Sequence, residues 1–448
     1  LRLSLRCLAA DMTFDQLQPD SLRFFLRGQP HQVFPLYELL FNNAVSVALA
    51  DGADDPNPVI LPAGSIRPVG FGLDEGMLPY PARAQAGYRL LTEFFAFPEK
   101  FLFFDVANLS AKTLVNAGNK LEIFIYFDRA IPELERSASR DNFALGCTPI
   151  VNLFQQRAEP FALDHSQPEY RIVPDVRRQG ALEVHSILSA TSSDGSARVR
   201  KHYPFFGLHH GGEGREGPYW AISRRPAGGR DPGTEVYLSL VDLDFDPSQP
   251  DDSVLTVETL CCNRDLPAQL PFGGGHPRLK LTQGAAAVLS IQCLTPPTPT
   301  LRLANRQEHR WRLISHLSLN HLTISGGPQG LEALKEALRL YDFRDSAETR
   351  AVIDALTKVE SRRGSARAPA RPGDVAWGDA VIRGVDITLE MDPARLGGHG
   401  LFLFGATLDH FFGLYCTINS FTRLTVTLKG RQGKLKTWPA RAGERPLL

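Results

Sequence analysis

The run DLDFD sets Asp242, Asp244 and Asp246 at the first three ligand spacings of a calcium-binding EF-hand loop. Such a loop turns on glycine at its sixth position and closes with a bidentate glutamate at its twelfth. This chain has Pro247 and Ser253 there, so the run reads as a polar strand end. HHGGEG (209–214) has the glycine density of a loop whose backbone N–H groups cradle an oxyanion, but no G-x-S-x-G supplies the nucleophile. It reads as an exposed turn. His316 and His321 lie five apart in a strand-like stretch, on opposite faces unless a bulge intervenes, and no H-E-x-x-H accompanies them. Cys262 and His276 bracket NRDLPAQLPFGGG, which has the character of a loop rather than of a zinc site. GGRDPGTE (228–235) lacks the Lys-Ser/Thr of a P-loop, and no G-x-G-x-x-G follows a strand. The basic stretch SRRGSARAPAR (361–371) has no interleaved aromatic residues and reads as a solvated loop. No catalytic set, metal site or cofactor site is therefore expected.

Composition narrows the classes further. The 49 basic residues are matched by 49 acidic ones, which gives no footprint for nucleic acid or an anionic membrane. No apolar run reaches the roughly 18 residues of a transmembrane helix, so direct membrane insertion is not expected. Cys7, Cys147, Cys261, Cys262, Cys293 and Cys416 contain no C-x-x-C pair and read as reduced thiols.

Stepping along the chain, 448 residues predict two or three domains. A mixed α/β part spans 1–140. SLRFFLRG, VSVALADG, PVILPAG and SIRPVGF read as strands, and 31–45 as a helix with Leu36, Leu39, Leu40 and Ala44 on one stripe and Pro35 in its first turn. A β-rich sandwich or barrel-like domain spans 141–300, with strands expected at EYRIVPD, LEVHSILSA, YWAISRR, EVYLSLVDLDF, SVLTVETL, RLKLTQG and AVLSIQCL; PPTPT (296–300) leads out of it. A C-terminal α+β domain, 301–448, follows the order βααβαβ. Its elements are WRLISHLSLNHLTI, a helix at 330–342, a helix opened by the capping box DSAE (345–348), AVIRGVDITLE, a helix at 401–415 and LTVTLK. The second helix is expected to bury Val352, Ile353, Leu356 and Val359; the third carries Leu408, Phe411, Phe412 and Tyr415 at i, i+3, i+4 and i+7.

YPARAQAGYRLLTEFFAFPEKFLFFD (80–105) concentrates eight rings in 26 residues. Its spacing predicts an amphipathic helix over 86–97 stopped by Pro98, then a buried strand. Arg83, Arg89, Glu93, Glu99 and Lys100 interrupt any lipid-facing surface. Core packing accounts for most of the rings. Tyr80, Tyr88 and Phe97 are the candidate interface residues.

Together GLDEGMLPYPARAQAGYRLLTEFFAFPEKFLFFD, CTPIVNLF, EYRIVPD, LCCNRDLPAQLPFG, WRLISHLSLNHLTI, LRLYDF, GLYCTINSFTRL and WPARAGERPLL resemble the TssF (VasA/ImpG) family, baseplate wedge subunits of the type VI secretion system. The resemblance runs through almost the whole chain. It implies a β-rich multidomain α+β fold similar to contractile-phage baseplate wedge proteins, and a structural, non-catalytic role. The implied partners are TssG, TssE, TssK, VgrG and a second TssF copy. The implied location is cytoplasmic, in a baseplate docked at the inner-membrane complex of a Gram-negative bacterium. Family members carry a helix-rich region before LRLSL, and the strand-like opening LRLSLRCL fits an additional N-terminal region preceding it. Two other classes remain: a β-rich hydrolase pairing Asp242 or Asp244 with His209 or His210 in one pocket, and a carbohydrate-binding sandwich with exposed rings on one sheet face.

Overall fold

The structure is a computed structural model describing residues 1–9, 11–80, 84, 86–114, 117–164, 167–193, 199–205, 218–229, 231–241, 253–282, 288–302, 311–312, 327–367, 381–396, 400–414, 416 and 420–443. It is a strand-rich mixture of α and β with several sheets. The chain divides into two compact units, Leu1–Pro149 with Leu301–Leu448, and Ile150–Thr300. The segments 1–140 and 301–448, set apart in the sequence reading, thus share one unit.

The first unit begins with β1 (Arg2–Arg6), α1 (Phe14–Leu17), β2 (Leu22–Leu26), α2 (Pro30–Glu38), β3 (Ala44–Ala50), β4 (Val59–Pro62) and β5 (Ile66–Pro68). It continues through α3 (Ala86–Ala96), β6 (Phe103–Val106), β7 (Lys120–Phe127), α4 (Pro132–Ser137) and β8 (Phe143–Leu145). Two antiparallel sheets result, in the orders β1-β7-β3-β4 and β5-β6-β2-β8. Register in the second puts Phe24 opposite Phe104 and Phe25 opposite Phe103, so each pair packs directly, at 5.1 and 4.6 Å between centroids. Pro35 lies inside α2 rather than in its first turn, because the helix starts earlier with Pro30 at its first position, where the missing N–H costs nothing. A π-helical turn, Leu39–Asn43, ends it, and Ala44 already belongs to β3.

The second unit contains β9 (Phe154–Arg157), β10 (Phe161–Ala162), β11 (Tyr170–Arg171), β12 (Glu183–Ser193), β13 (Val199–Pro204), β14 (Tyr219–Pro226), β15 (Thr234–Val241) and β16 (Val254–Cys262). They form one sheet in the order β10-β16-β12-β13-β14-β15-β11, with β9 also on β16. Leu163, Ile172, Val184, Val236, Leu238, Leu255 and Val257 make its core. The strands expected at RLKLTQG and AVLSIQCL are corrected: their described residues, 278–282 and 288–294, are irregular.

The C-terminal part of the first unit holds α5 (Gly327–Arg339), α6 (Ala347–Asp354), β17 (Leu356–Arg367), β18 (Val381–Met391), α7 (Leu401–Gly413), β19 (Ser420–Leu428), β20 (Lys434–Thr437) and β21 (Arg441–Ala442). The strand expected at 311–324 lies almost wholly outside the described residues. The cap of α6 is one residue later than expected: Ser346 and Thr349 bond reciprocally, while Asp345, at φ +45°, pairs with Arg350 at 2.7 Å. That helix stops at Asp354, so Leu356 and Val359 are buried from a strand, not a helix. Half of the expected basic loop is also β17, each residue from Lys358 to Arg367 paired with β18.

α7 is the crossover between parallel β18 and β19. It is buried on every side except at His410, because strands cover one face and α3 the other. Of its sequence stripe, Phe411 faces α3, edge-on to Tyr88 at 6.2 Å. Tyr415 lies outside the described residues. Phe94 stacks on Phe404 at 5.3 Å, and Tyr37 meets Phe402 edge-on at 6.2 Å. Asn42 Nδ2 donates to the Leu435 carbonyl at 2.9 Å, and Lys436 Nζ to that of Phe41 at 3.2 Å. Neither α3 nor α7 could bury its apolar surface within its own segment, which is why the two ends of the chain share one core.

Candidate functional site

α3 forms where expected because Leu90, Leu91, Phe94 and Phe95 recur at helical spacing and all are buried. Phe97 leaves the helix at φ −153°, ψ 75°, and Pro98 opens a short 3-10 turn that delivers Phe101 to the core. Gly87 lets α3 and α7 approach: a Cβ there would lie 2.7 Å from Leu414 Cδ1 and 3.1 Å from Phe411 Cα.

Three of the charges that interrupt a lipid-facing surface in the sequence are turned into the core. Arg89, Glu93 and Lys100 are buried, not solvated. Arg89 and Glu93 stand one turn apart, 3.8 Å from Nε to Oε2, and Lys100 Nζ bonds the same carboxylate oxygen. All three point at the loop 70–80. Arg89 donates to the carbonyls of Leu73 (2.8 Å) and Gly72 (2.6 Å), while Glu93 accepts from the N–H of Met77 at 2.7 Å. Within the loop, Glu75 accepts from the N–H groups of Gly70 and Gly72 at 2.7 and 2.8 Å. Burial lowers the Lys100 pKa, opposed by Glu93. A buried ion cluster therefore fixes a loop that has little apolar anchorage of its own. The exception is Phe71, which packs on Phe101 at 4.9 Å and stacks on His410 at 4.8 Å. Burial, then the Arg441 and Arg89 charges, hold the His410 imidazole well below its usual range, so its Nε2 accepts from Arg441 Nη2 at 3.1 Å.

The latch turns two residues outward. Leu73 is 78% exposed, and Tyr80 is 36% exposed with the Arg89 guanidinium 5.9 Å from its ring centre. Desolvation and Glu93 raise the Tyr80 hydroxyl to about 12. Tyr88, a second interface candidate, is half-buried, stacked on Tyr341 at 5.5 Å and edge-on to Phe411 at 6.2 Å. Phe97, the third, is half-buried. Sequence reasoning missed Leu73 and the latch; the i,i+4 spacing of Arg89 and Glu93 beside an acidic, glycine-containing loop was the available signal.

The other chemical motifs come to little. Asp242, Asp244, Asp246, His209, His210, His316 and His321 lie outside the described residues. Among the described residues no group of three or more His, Cys, Asp or Glu could hold a metal ion. Asp231 of GGRDPGTE caps Gly233 N at 2.8 Å and pairs with buried Arg264, so this motif organises a turn. In the second unit Phe161, Tyr170 and Trp220 pack against the core. No described helix is long and apolar enough to cross a membrane.

Comparison with known proteins gives one consistent result. The family model "Type VI secretion system, TssF" matches residues 1–445. The type VI secretion system component TssF1 of Pseudomonas aeruginosa is 35% identical over the whole chain, which spans 73% of that protein. The fold is similar to a chain in the TssK-TssF-TssG baseplate subcomplex solved by cryo-electron microscopy, with TM-score 0.72 and 22% identity over 96% of this chain and 75% of that one. It is also similar to a chain of the type VI secretion system baseplate complex, with TM-score 0.58 and 21% identity over 97% and 72%. The chain belongs to the TssF family of the type VI secretion system.

Proposed function

We infer that the chain is a structural, non-catalytic subunit of a type VI secretion baseplate, where it builds the wedge with TssG, TssK and TssE and a second copy of itself around the VgrG hub. The family match across residues 1–445 carries this reading. The TssK-TssF-TssG subcomplex supports the partners TssK and TssG; TssE, VgrG and the second copy rest on the family resemblance. The place of action is then a cytoplasmic baseplate docked at the inner-membrane complex.

A wedge subunit acts by presenting surfaces whose contacts differ between assembly states. The latched loop suits that task. Fixing Leu73 and Tyr80 before binding removes an ordering cost that a loose loop would meet at the interface. The test is co-expression with TssG, TssE and TssK followed by mass measurement of the purified complex. The wild-type chain is expected in one assembly with them, and Leu73→Asp with Tyr80→Ala is expected to weaken it at least ten-fold. A wild-type chain that purifies alone would refute the reading.

A further inference from the structure

The basic stretch SRRGSARAPAR, loop-like in the sequence, enters the fold as the far half of β17, and a strand gives its charges two distinct faces. From Ser361 to Arg367 each residue pairs with β18 without a bulge, Arg363 opposite Val385 and Ser365 opposite Arg383. One face settles its own charges. Glu360 pairs with Lys358 at 2.7 Å and with Arg362 at 4.0 Å, and Asp386 accepts two bonds from Arg423 of β19 at 2.8 and 3.0 Å.

The other face does not. It continues the buried side of the sheet, where Val359, Ile387 and Leu389 lie, and beyond Ser361 it turns from apolar to cationic. Arg363 and Arg383 stand exposed on it, and neither pairs with a carboxylate among the described residues. They are diagonal neighbours in the ladder, about 7–8 Å apart at the backbone, and a carboxylate set between them would remove their repulsion. Ser365, directly opposite Arg383, is small and leaves that side chain a clear path across β17. Among the described residues β17 is also the outermost strand of its sheet. Such an edge offers N–H and C=O groups to an incoming strand.

We propose that the edge of β17 from Ser361 to Arg367 takes an extended acidic segment of another subunit as an added strand, its carboxylates at alternate positions facing Arg363 and Arg383. Spacing fits this occupant. Along the strand axis the two arginines are two residues out of step, and alternate side chains of an extended segment lie roughly 6.8 Å apart on one face. One carboxylate then stands opposite Arg363 and the next is level with Arg383. A second copy does not fit: no Asp or Glu occurs from Ser361 to Gly373, so two such edges would set cations on cations. A nucleic acid could meet the arginines but has no peptide groups with which to continue the ladder.

This proposal deepens the baseplate reading and rests on it, since the other subunit is one that assembles with the chain. The test co-expresses the full chain with the TssG and TssK proteins of the same organism and reads their recovery with it. Arg363→Glu with Arg383→Glu is expected to leave the circular dichroism of the free chain unchanged and to lower recovery of one partner about ten-fold or more. Arg363→Lys with Arg383→Lys should retain most of it, and Arg362→Ala, on the paired face, all of it. A peptide of alternating valine and glutamate should compete that partner off the wild-type chain, and the same peptide with lysine for glutamate should not. Recovery by the double glutamate variant equal to wild type overturns the strand site while the baseplate reading stands. If the wild-type chain recovers neither partner, the baseplate reading falls and the site with it. Competition by a single-stranded oligonucleotide as strong as by the acidic peptide, or a homodimer of the free chain lost in the glutamate variant, would overturn the acidic subunit as occupant. Thermal unfolding brought forward equally by that variant and by Asp374→Asn with Asp379→Asn would make the chain's own acids the occupant and overturn it likewise.

Discussion

Replacing Glu93 by glutamine isolates the charge of the latch from its shape. The amide keeps an acceptor for the Met77 N–H but removes the negative charge that faces Lys100 and Arg89, both buried. Breaking a buried pair from one side costs about 3–5 kcal/mol, because an uncompensated charge is left in a medium that solvates it poorly. Lys100 can escape part of this by shedding its proton. From its ordinary value of 10.5 that costs at most about 5 kcal/mol at pH 7, which is consistent with the range above. The sign of the pH dependence follows. A lysine neutral in the folded variant and charged when unfolded makes stability rise with pH up to the unfolded value. Urea unfolding at pH 7 is therefore expected to show a loss of about 3–5 kcal/mol that narrows toward pH 9–10. Glu93→Leu with Lys100→Met, which removes both charges, is expected to cost less than Glu93→Gln alone. Limited proteolysis should cut Glu93→Gln faster between Gly72 and Tyr80. A loss below about 1 kcal/mol with no pH dependence would mean the cluster is solvated and does not hold the loop.

Two further expectations follow from the same unit. Gly87→Ala drives a Cβ into Leu414 and the α7 backbone; overpacking of this kind costs about 1–3 kcal/mol, so thermal unfolding should occur earlier despite the better helix propensity of alanine. Hydrogen bonds from Arg2 (2.8 and 3.1 Å), Lys120 and Ser4 (2.6 Å) hold the Glu122 carboxyl at about 2 against its usual 4.5. A depressed carboxyl stabilises above its unfolded pKa and loses that contribution as pH falls through the folded one. The advantage of wild type over Glu122→Gln should be full above about pH 5 and shrink toward pH 2 in acid-unfolding curves. It is at most about 3 kcal/mol, reduced by solvent around half-exposed Arg2.

The sequence by itself determined much of this molecule at short range. Helical spacing and Pro98 set α3, short apolar runs punctuated by Gly and Pro marked β2 to β5, and a run apolar on both faces marked β6. Those signals are local, each written within a few residues of what it specifies. Tertiary structure decided what depended on distant partners. The apolar periodicity of 401–412 fits a helix in either setting, and only the meeting of α7 with α3, some three hundred residues earlier, buries it on both sides. Leu356 and Val359 suit a helix stripe or a strand face equally, and eleven paired residues of β18 chose the strand. Arg89, Glu93 and Lys100 look like solvated charges in any window around them; the carbonyls and N–H groups of the loop 72–77 turn them into a buried latch. At 278–281 the reverse happened. The alternation asked for a sheet partner, and the described fold supplied none, because a strand is stable only where a second edge satisfies its backbone.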